Sequence, residues 1–438
     1  MWNLFQRLLF GLTWVACLST ALGNESWPEW RGPLGQGVAE AKNVPVNWSE
    51  DKHVAWRTEI PGRGWSTPVV LGNRIWVTTA SHIPCSEEEA ARRRKLSTNS
   101  MPMQFAASVR LRAIELDRTN GKLLRDIPVL QPDDPQGIHA DNSYATPSPV
   151  IEHNRLYCHF GCHGCGCVDT QTGKLVWTNT DTYIEHENGP GSSPILWNDL
   201  LIFHCDGTDR QFIMAVNKNT GSTVWKTDRS GEMNSNPQLR KAYATPLVTQ
   251  VNHQPIVVSP AADWLYGYDP STGNELWKVP YGELGFSNSA RPVAGFGKLF
   301  ICTGFMKSQM IAFDANDPTK IAWRLNKQVP NVSSPVLVGS ELYFASDNGV
   351  ASCVNAETGE VHWSQRIGKK FWASPVAADG KIYFFDMDGK TTVIAASKDY
   401  QHLATNSLDG TFYASGAVLD GELILRTDNA VYCIREKR

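Results

Sequence analysis

The stretch Asp169-Thr-Gln-Thr-Gly173-Lys-Leu-Val-Trp177 recurs down the chain. It returns as Asn217-Lys-Asn-Thr-Gly221-Ser-Thr-Val-Trp225, as Asp269-Pro-Ser-Thr-Gly273-Asn-Glu-Leu-Trp277 and as Asn355-Ala-Glu-Thr-Gly359-Glu-Val-His-Trp363. Weaker copies run from Asp117 to Gly121 and from Asp314 to Trp323. A second motif, a small-residue step ending in Pro, alternates with the first. Its copies are Trp65-Ser-Thr-Pro68, Tyr144-Ala-Thr-Pro147, Gly191-Ser-Ser-Pro194, Tyr243-Ala-Thr-Pro246, Ser289-Ala-Arg-Pro292, Ser333-Ser-Pro335 and Trp372-Ala-Ser-Pro375, with a degenerate eighth at Phe412-Tyr-Ala-Ser-Gly416. The spacing is roughly 40 to 50 residues, the period of a propeller blade. One longer gap separates Pro68 from Pro147.

Between the motifs lie alternating apolar runs such as Lys381-Ile-Tyr-Phe-Phe and Glu341-Leu-Tyr-Phe-Ala, the pattern of half-buried strands. Each unit reads as four strands: one after the Pro step, a hairpin, and an outer strand carrying the Trp. Glycine in Thr-Gly supplies a turn position with positive φ, and Asp or Asn at the turn start can accept from backbone amides two residues on. A tryptophan on the outer strand is large enough to fill the wedge between diverging neighbours. Trp177, Trp225, Trp277, Trp323 and Trp363 are therefore read as packing residues. Period and strand count predict an all-β, eight-bladed propeller of four-stranded antiparallel blades. The last unit, Phe412 to Ile434, has only three strand-like runs, and His53-Val-Ala-Trp56-Arg57 is an orphan Trp strand. Pairing the two closes the ring and removes exposed edges.

The chain has 438 residues, of which 42% are hydrophobic and 19% charged, which excludes a disordered protein. With 41 basic and 44 acidic residues, a formal charge of −3, nucleic acid is not the expected partner. Met1 to Gly23 reads as a secretion signal: Arg7 is its only charge, an apolar run follows, and Ala21-Leu22-Gly23 offers a cut site. No membrane span is expected. The protein is expected to be secreted or periplasmic, with a lipid anchor at Cys17 as the rival reading. Residues 24–52 form an entry segment and 53–438 the propeller. Residues 81–110 interrupt the first full blade. There Glu87-Glu-Glu-Ala-Ala-Arg-Arg-Arg-Lys95 predicts a helix with acids first and bases last, either a lid over one ring face or a surface excursion.

The Asp-x-x-Thr-Gly-x-x-x-Trp units resemble the pyrroloquinoline-quinone-type propeller repeat. Trp27-Pro-Glu-Trp30-Arg-Gly-Pro33, Asp206-Gly-Thr-Asp-Arg-Gln211 and Phe300-Ile-Cys-Thr-Gly-Phe-Met306 resemble a secreted subgroup of planctomycete-type bacteria. The resemblance covers about residues 27–434 and speaks to fold more than function. The same repeat builds quinoprotein dehydrogenases and the non-catalytic propeller of the outer-membrane assembly machinery. In the dehydrogenases it implies quinone in the central channel, calcium held by Glu, Asn and Asp, an Asp base, and commonly a disulfide between adjacent cysteines. This chain has no Cys-Cys pair and no Cys-x-x-Cys-His haem motif.

Residues before each Pro step are expected to face the ring axis. This names Trp65, Tyr144, Asn188, Tyr243, Asn288, Arg291, Asn331 and Trp372, of which Trp65, Tyr144, Tyr243, Asn288, Arg291 and Trp372 are candidates to hold a cofactor. His139, Asp141, Asn142, Glu187, Lys369 and Lys370 lie nearby in sequence. Glu185 and Asn188, from Glu185-His-Glu-Asn188, are calcium candidates, against a solvated loop. Arg291 can bind a carboxylate or tie neighbouring blades. Trp65 and Trp372 can stack on a ligand or plug the channel. Cys158, Cys162, Cys165 and Cys167 crowd one hairpin and read as ordinary buried residues, a disulfide, or a soft-metal site. No nucleophile–base set, phosphate loop or His-Glu-x-x-His motif is present. The leading expectation is a non-catalytic binding propeller of the cell envelope, presenting loops and channel mouth to a protein or glycan. The alternative is a dehydrogenase of alcohols or sugars using pyrroloquinoline quinone and calcium.

Overall fold

Each apolar run after a Pro step becomes the short inner strand of an antiparallel sheet. The computed structural model describes residues 26–97, 99–282 and 285–436, and the expected signal at 1–23, with Cys17, lies outside them. Eight blade sheets follow one another. Blades 1 to 7 occupy 69–130, 150–179, 195–228, 247–280, 293–325, 336–366 and 376–407. Blade 8 is built from Ala417–Leu419, Glu422–Arg426 and Ala430–Arg435, and its outer strand is Val54–Glu59, antiparallel to Ala430–Arg435. The fold is an eight-bladed, all-β propeller whose ring is closed by an N-terminal strand, as the orphan Trp56 strand predicts. No helix among the described residues is long and apolar enough to cross a membrane.

The repeat motif is a lock between blades as well as a turn. Asp169 Oδ1 accepts from the Gln171 and Thr172 amides at 3.0 and 2.8 Å, and Asn217 Oδ1 from Asn219 and Thr220 at 2.9 and 3.1 Å. The Trp of one blade then donates its Nε1–H to the second residue of the next blade's turn. Trp177 bonds Lys218 O at 2.9 Å, Trp225 bonds Pro270 O at 3.1 Å, Trp323 bonds Ala356 O at 3.0 Å and Trp56 bonds Arg118 O at 2.8 Å. The indole lies against the glycine of that turn: a Cβ on Gly221 would stand 2.5 Å from the Trp177 ring. Glycine is thus required twice, for φ +75° and for this approach. The blade 5 turn at Asp314 lacks the glycine, and Trp277 lies instead over Gly267 of its own sheet.

The Pro step forms an inner girdle. Thr67 N–H donates to Ser148 Oγ, Ser148 N–H to Ser193 Oγ and Ser193 N–H to Thr245 Oγ1, each at 2.9 Å. Beyond Arg291 the relay resumes through Ser334, Ser374 and Ser415. Short hydroxyl side chains satisfy amides that the crowded axis hides from water. In blade 2 the step in register is Thr146-Pro-Ser148-Pro149, because the inner strand begins at Val150. Pro147 belongs to the preceding turn, which moves Tyr144 off the axis.

The entry segment is woven through the ring. Ser26–Trp27 pairs with the inner strand of blade 1, and Val38–Ala39 runs parallel to Ala377–Ala378 of blade 7. The insertion at 81–110 is an extended hairpin of blade 1, paired out to Pro84–Ala106. Its tip carries helix α1, Glu87–Leu96, whose cap Ser86 accepts the Glu89 amide at 3.2 Å. The tip is tied to the ring by Arg93–Asp134 at 3.0 Å and by Asn99 Nδ2 to Asn188 Oδ1 at 2.7 Å.

Candidate functional site: the channel cavity

Turns and loops at one end of the ring enclose a cavity of about 610 Å³ on the axis. Its lining is mostly apolar. Trp65, Tyr413 and Trp372, the first residues of three Pro steps, form one wall. Trp65 and Tyr413 stack with ring centres 4.2 Å apart at 12°, and Trp372 leans on Tyr413 at 5.8 Å and 54°. Arg63 lies over Trp65 at 4.9 Å and Lys370 over Trp372 at 4.1 Å, cation–π contacts that keep the cations beside the wall. Trp65 Nε1 donates to Asp141 O at 3.0 Å. Trp30 of the entry segment lines the cavity near Ser415, with Nε1 3.4 Å from its Oγ. Met101 from the insertion and Phe305 and Met306 of blade 5 line it too, and Met306 is 83% exposed.

Of the residues singled out in the sequence, Trp65, Tyr243, Trp372, His139, Asp141, Asn142, Asn188 and Lys370 line this cavity. Tyr144 does not. It is buried in the core shared by blades 1 and 2, its hydroxyl donating to Gln136 O at 2.8 Å, and Thr146 takes its place on the axis. Asn288 is fully buried, its Nδ2 donating to Ala261 O at 2.9 Å and Tyr281 Oη at 2.6 Å. Arg291 is also buried and meets the entry segment: its Nη1 donates to Trp30 O at 2.8 Å and lies 3.4 Å from Glu29 Oε1. The carboxylate facing Arg291 thus belongs to the protein itself. Trp30, Tyr413, Met101, Phe305 and Met306 were missed. Tyr413 was legible, since it holds the position of Trp65 and Trp372 in the degenerate eighth step. The Met and Phe residues sit on non-repeating loops and carry no such signal.

Glu185 and Asn188 do not form a calcium pair. Glu185 is exposed, while Asn188 gives its Oδ1 to Asn99. The four cysteines of the hairpin do not converge either. All are free and buried, and no three of them bring their thiols together among the described residues. Cys165 and Cys167 face into the blade 2–3 core, and burial pushes their thiols up to about 12. Cys162 meets His163 and His186 instead, with Sγ to His163 Nδ1 at 3.7 Å. His186 Nδ1 accepts the Gly189 amide at 2.7 Å, so the neutral ring carries its proton on Nε2. An ordinary ligating histidine presents a bare nitrogen to the metal and donates from the other. His186 has the reverse arrangement.

The cavity offers poor tools for chemistry. The floor hydroxyls of Ser148, Ser193 and Ser415 accept from neighbouring amides. His139 Nδ1 faces the Asp141 amide at 3.1 Å, and burial lowers its pKa. A calcium-held quinone needs several hard oxygen donors, but Asp141 is the one carboxylate among the described lining residues. The amide oxygen of Asn142 is taken by Ser143 N and Thr146 Oγ1. The residues present do not fit that cofactor pair.

Comparison with known proteins bears on both readings. The chain is 26% identical to the outer membrane protein assembly factor BamB of Yersinia pestis, over 45% of this chain and 52% of that protein. It is 24% identical to BamB of Alteromonas naphthalenivorans, over 53% and 58%. It is 27% identical to the quinoprotein ethanol dehydrogenase of Pseudomonas aeruginosa, over 35% of this chain and 24% of the dehydrogenase. The chain spans about half the length of the curated BamB relatives it matches. Among solved structures, a europium-containing methanol dehydrogenase superposes with TM-score 0.62 at 10% identity, covering 93% of this chain and 90% of that one. BamB from Moraxella catarrhalis superposes with TM-score 0.54 at 15% identity, covering 82% and 100%. These likenesses show the shared propeller. The family model described as outer membrane protein assembly factor BamB matches residues 37–227, 166–318 and 261–412, and the chain belongs to that family of quinone-type repeat propellers.

Proposed function

We propose that this protein is a non-catalytic binding propeller of the cell envelope that receives an apolar segment of a protein partner at the channel mouth. The observation that carries this reading is the cavity itself: mostly apolar, edged by exposed Met and Phe, with floor hydroxyls that accept from amides within the ring. Flexible Met and rigid aromatic side chains suit a partner whose sequence varies. The BamB relatives support it, since their name describes an assembly factor. A glycan would need several open hydrogen-bonding groups beside the aromatic wall. Export through the leader at 1–23 is part of the proposal.

The alternative, an alcohol or sugar oxidoreductase using quinone and calcium, draws on the ethanol dehydrogenase relative. One titration separates the two. Purified protein is mixed with pyrroloquinoline quinone and calcium, and quinone absorbance and dye reduction are followed with an alcohol and sugar panel. The binding reading expects no stoichiometric quinone uptake and no substrate-dependent reduction. It also expects envelope proteins crosslinked to the wild type to be lost from a Trp372→Ala/Met306→Ser variant. Substrate-dependent dye reduction would overturn it.

A further inference from the structure

The turn at 29–37 carries two charged side chains, Glu29 and Arg31, into the ring, where they meet Arg291 of the blade 5 Pro step. Arg31 is fully buried. Its Nη2 donates to Gln36 O at 2.7 Å and to Pro335 O at 2.5 Å, both neutral carbonyls. Its Nε and Nη1 have no hydrogen-bond partner among the described residues. Arg291 is 3% exposed and lies within electrostatic reach of Arg31. It shares Glu29 at 3.4 Å and spends Nε on Pro246 O and Nη1 on Trp30 O. Glu29 is thus the carboxylate of Arg291, and among the described residues no carboxylate forms an ion pair with Arg31. The turn's glycines bring the backbone onto these groups: a Cβ on Gly35 would stand 2.3 Å from Arg291 Nη1, and one on Gly37 would stand 2.7 Å from Arg31 Nη2.

An unpaired guanidinium in a dry interior is among the costliest things a fold can bury. The remaining neighbour is Cys302, whose thiol burial pushes up to about 12 although Arg31 pulls it down, so it stays neutral near pH 7. Asp347, in range of Cys302, is half-buried and accepts the Asn331 amide at 2.9 Å. Arginine remains protonated across the working range of proteins. The missing element is a negative charge.

We propose that the turn at 29–37 binds one small monovalent anion, of halide size, against Nε and Nη1 of Arg31. The anion balances the second guanidinium and fixes the turn at 29–37 inside the ring. Its role is independent of what the cavity receives. The site is distinct from quinone chemistry, and its ligands come from the entry segment, outside the repeat.

The test compares thermal stability of the whole protein in sodium bromide and sodium gluconate at equal ionic strength, gluconate being too large to enter. The expected result is a Tm that rises with bromide and saturates. Cys302→Asp places an internal carboxylate beside Arg31, so its Tm should be bromide-independent. A crystal grown in bromide should show an anomalous peak within hydrogen-bond distance of Arg31 Nε or Nη1, and this arm holds even if Cys302→Asp does not fold. A wild-type Tm indifferent to the anion overturns the proposal. So does an equal bromide response in Cys302→Asp, which would be a general salt effect, or water alone at Arg31. A bromide peak with no stability response would be an adventitious ion only and counts against it equally.

Discussion

The rim of this ring and its axis obey different rules. At the rim, blade after blade repeats one solution: an acid or amide opens a turn, a glycine admits the neighbour's tryptophan, and that tryptophan bonds the turn's second carbonyl. On the axis the corresponding positions read Trp65, Thr146, Gly191, Tyr243, Ser289, Val332, Trp372 and Tyr413. Repetition at the rim holds blades together, and the same contact recurs between blades 2 and 3, 3 and 4, 5 and 6, and 8 and 1. Variety at the axis makes a cavity with an aromatic side and an amide side, which no symmetric ring can offer. Stability is expected to reside in the first region and recognition in the second.

Acid gives the largest separation between them. The rim motif contains no buried titratable group, whereas blades 2 and 3 bury His159 and His163, and burial pushes both down to about 4. Unfolded, each imidazole titrates near 6.5. Their contribution is present above pH 6.5 and lost as pH falls toward 4, because only the unfolded chain takes up the protons. The loss is up to roughly 3 kcal/mol for each histidine. Denaturation midpoints measured from pH 7 to 4 should fall steeply, and His163→Gln should flatten the slope by about one proton while rim variants leave it unchanged.

Trp225→Ala comes next. It opens a hole between blades 3 and 4, costing about 3–5 kcal/mol by chemical denaturation. Gly221→Ala strikes the same lock from the other side, forcing a Cβ onto the Trp177 ring at a positive φ, for about 1–3 kcal/mol. Asp169→Ala removes the turn's acceptor and should cost about 1 kcal/mol. The smallest effect belongs to the axis. Trp372→Ala should change stability by less than about 1 kcal/mol yet abolish partner crosslinking. If Trp372→Ala instead proves as damaging as Trp225→Ala, the division between rim and axis fails.

What was legible in the sequence follows the same division. The turn motif, its tryptophans and the closing strand at Trp56 could be read because each encodes a local conformation repeated several times. The axis was read in part. Trp65, Tyr243 and Trp372 were found by their place in the Pro step, but the doubled prolines at 147 and 149 shifted the register and put Tyr144 on the axis instead of Thr146. Arg291 and Glu29 are separated by most of the chain, so nothing in the sequence joins them. The cysteine hairpin left three readings open because proximity along a strand does not fix convergence: the thiols are free and buried, as in the first of those readings, and His186 of another loop comes to Cys162.

The strand Val54–Glu59 leaves the ribosome before the seven blades that follow it and must wait for Ala430–Arg435 of blade 8 before it has a partner. Completion of the ring is therefore a signal that all eight blades have been made. A chain cut short at any blade retains a ragged open arc with two bare strand edges, ready prey for quality control or for pairing with another copy. The clasp works as a checkpoint: the cavity on the axis is assembled only in molecules whose synthesis has passed the eighth blade.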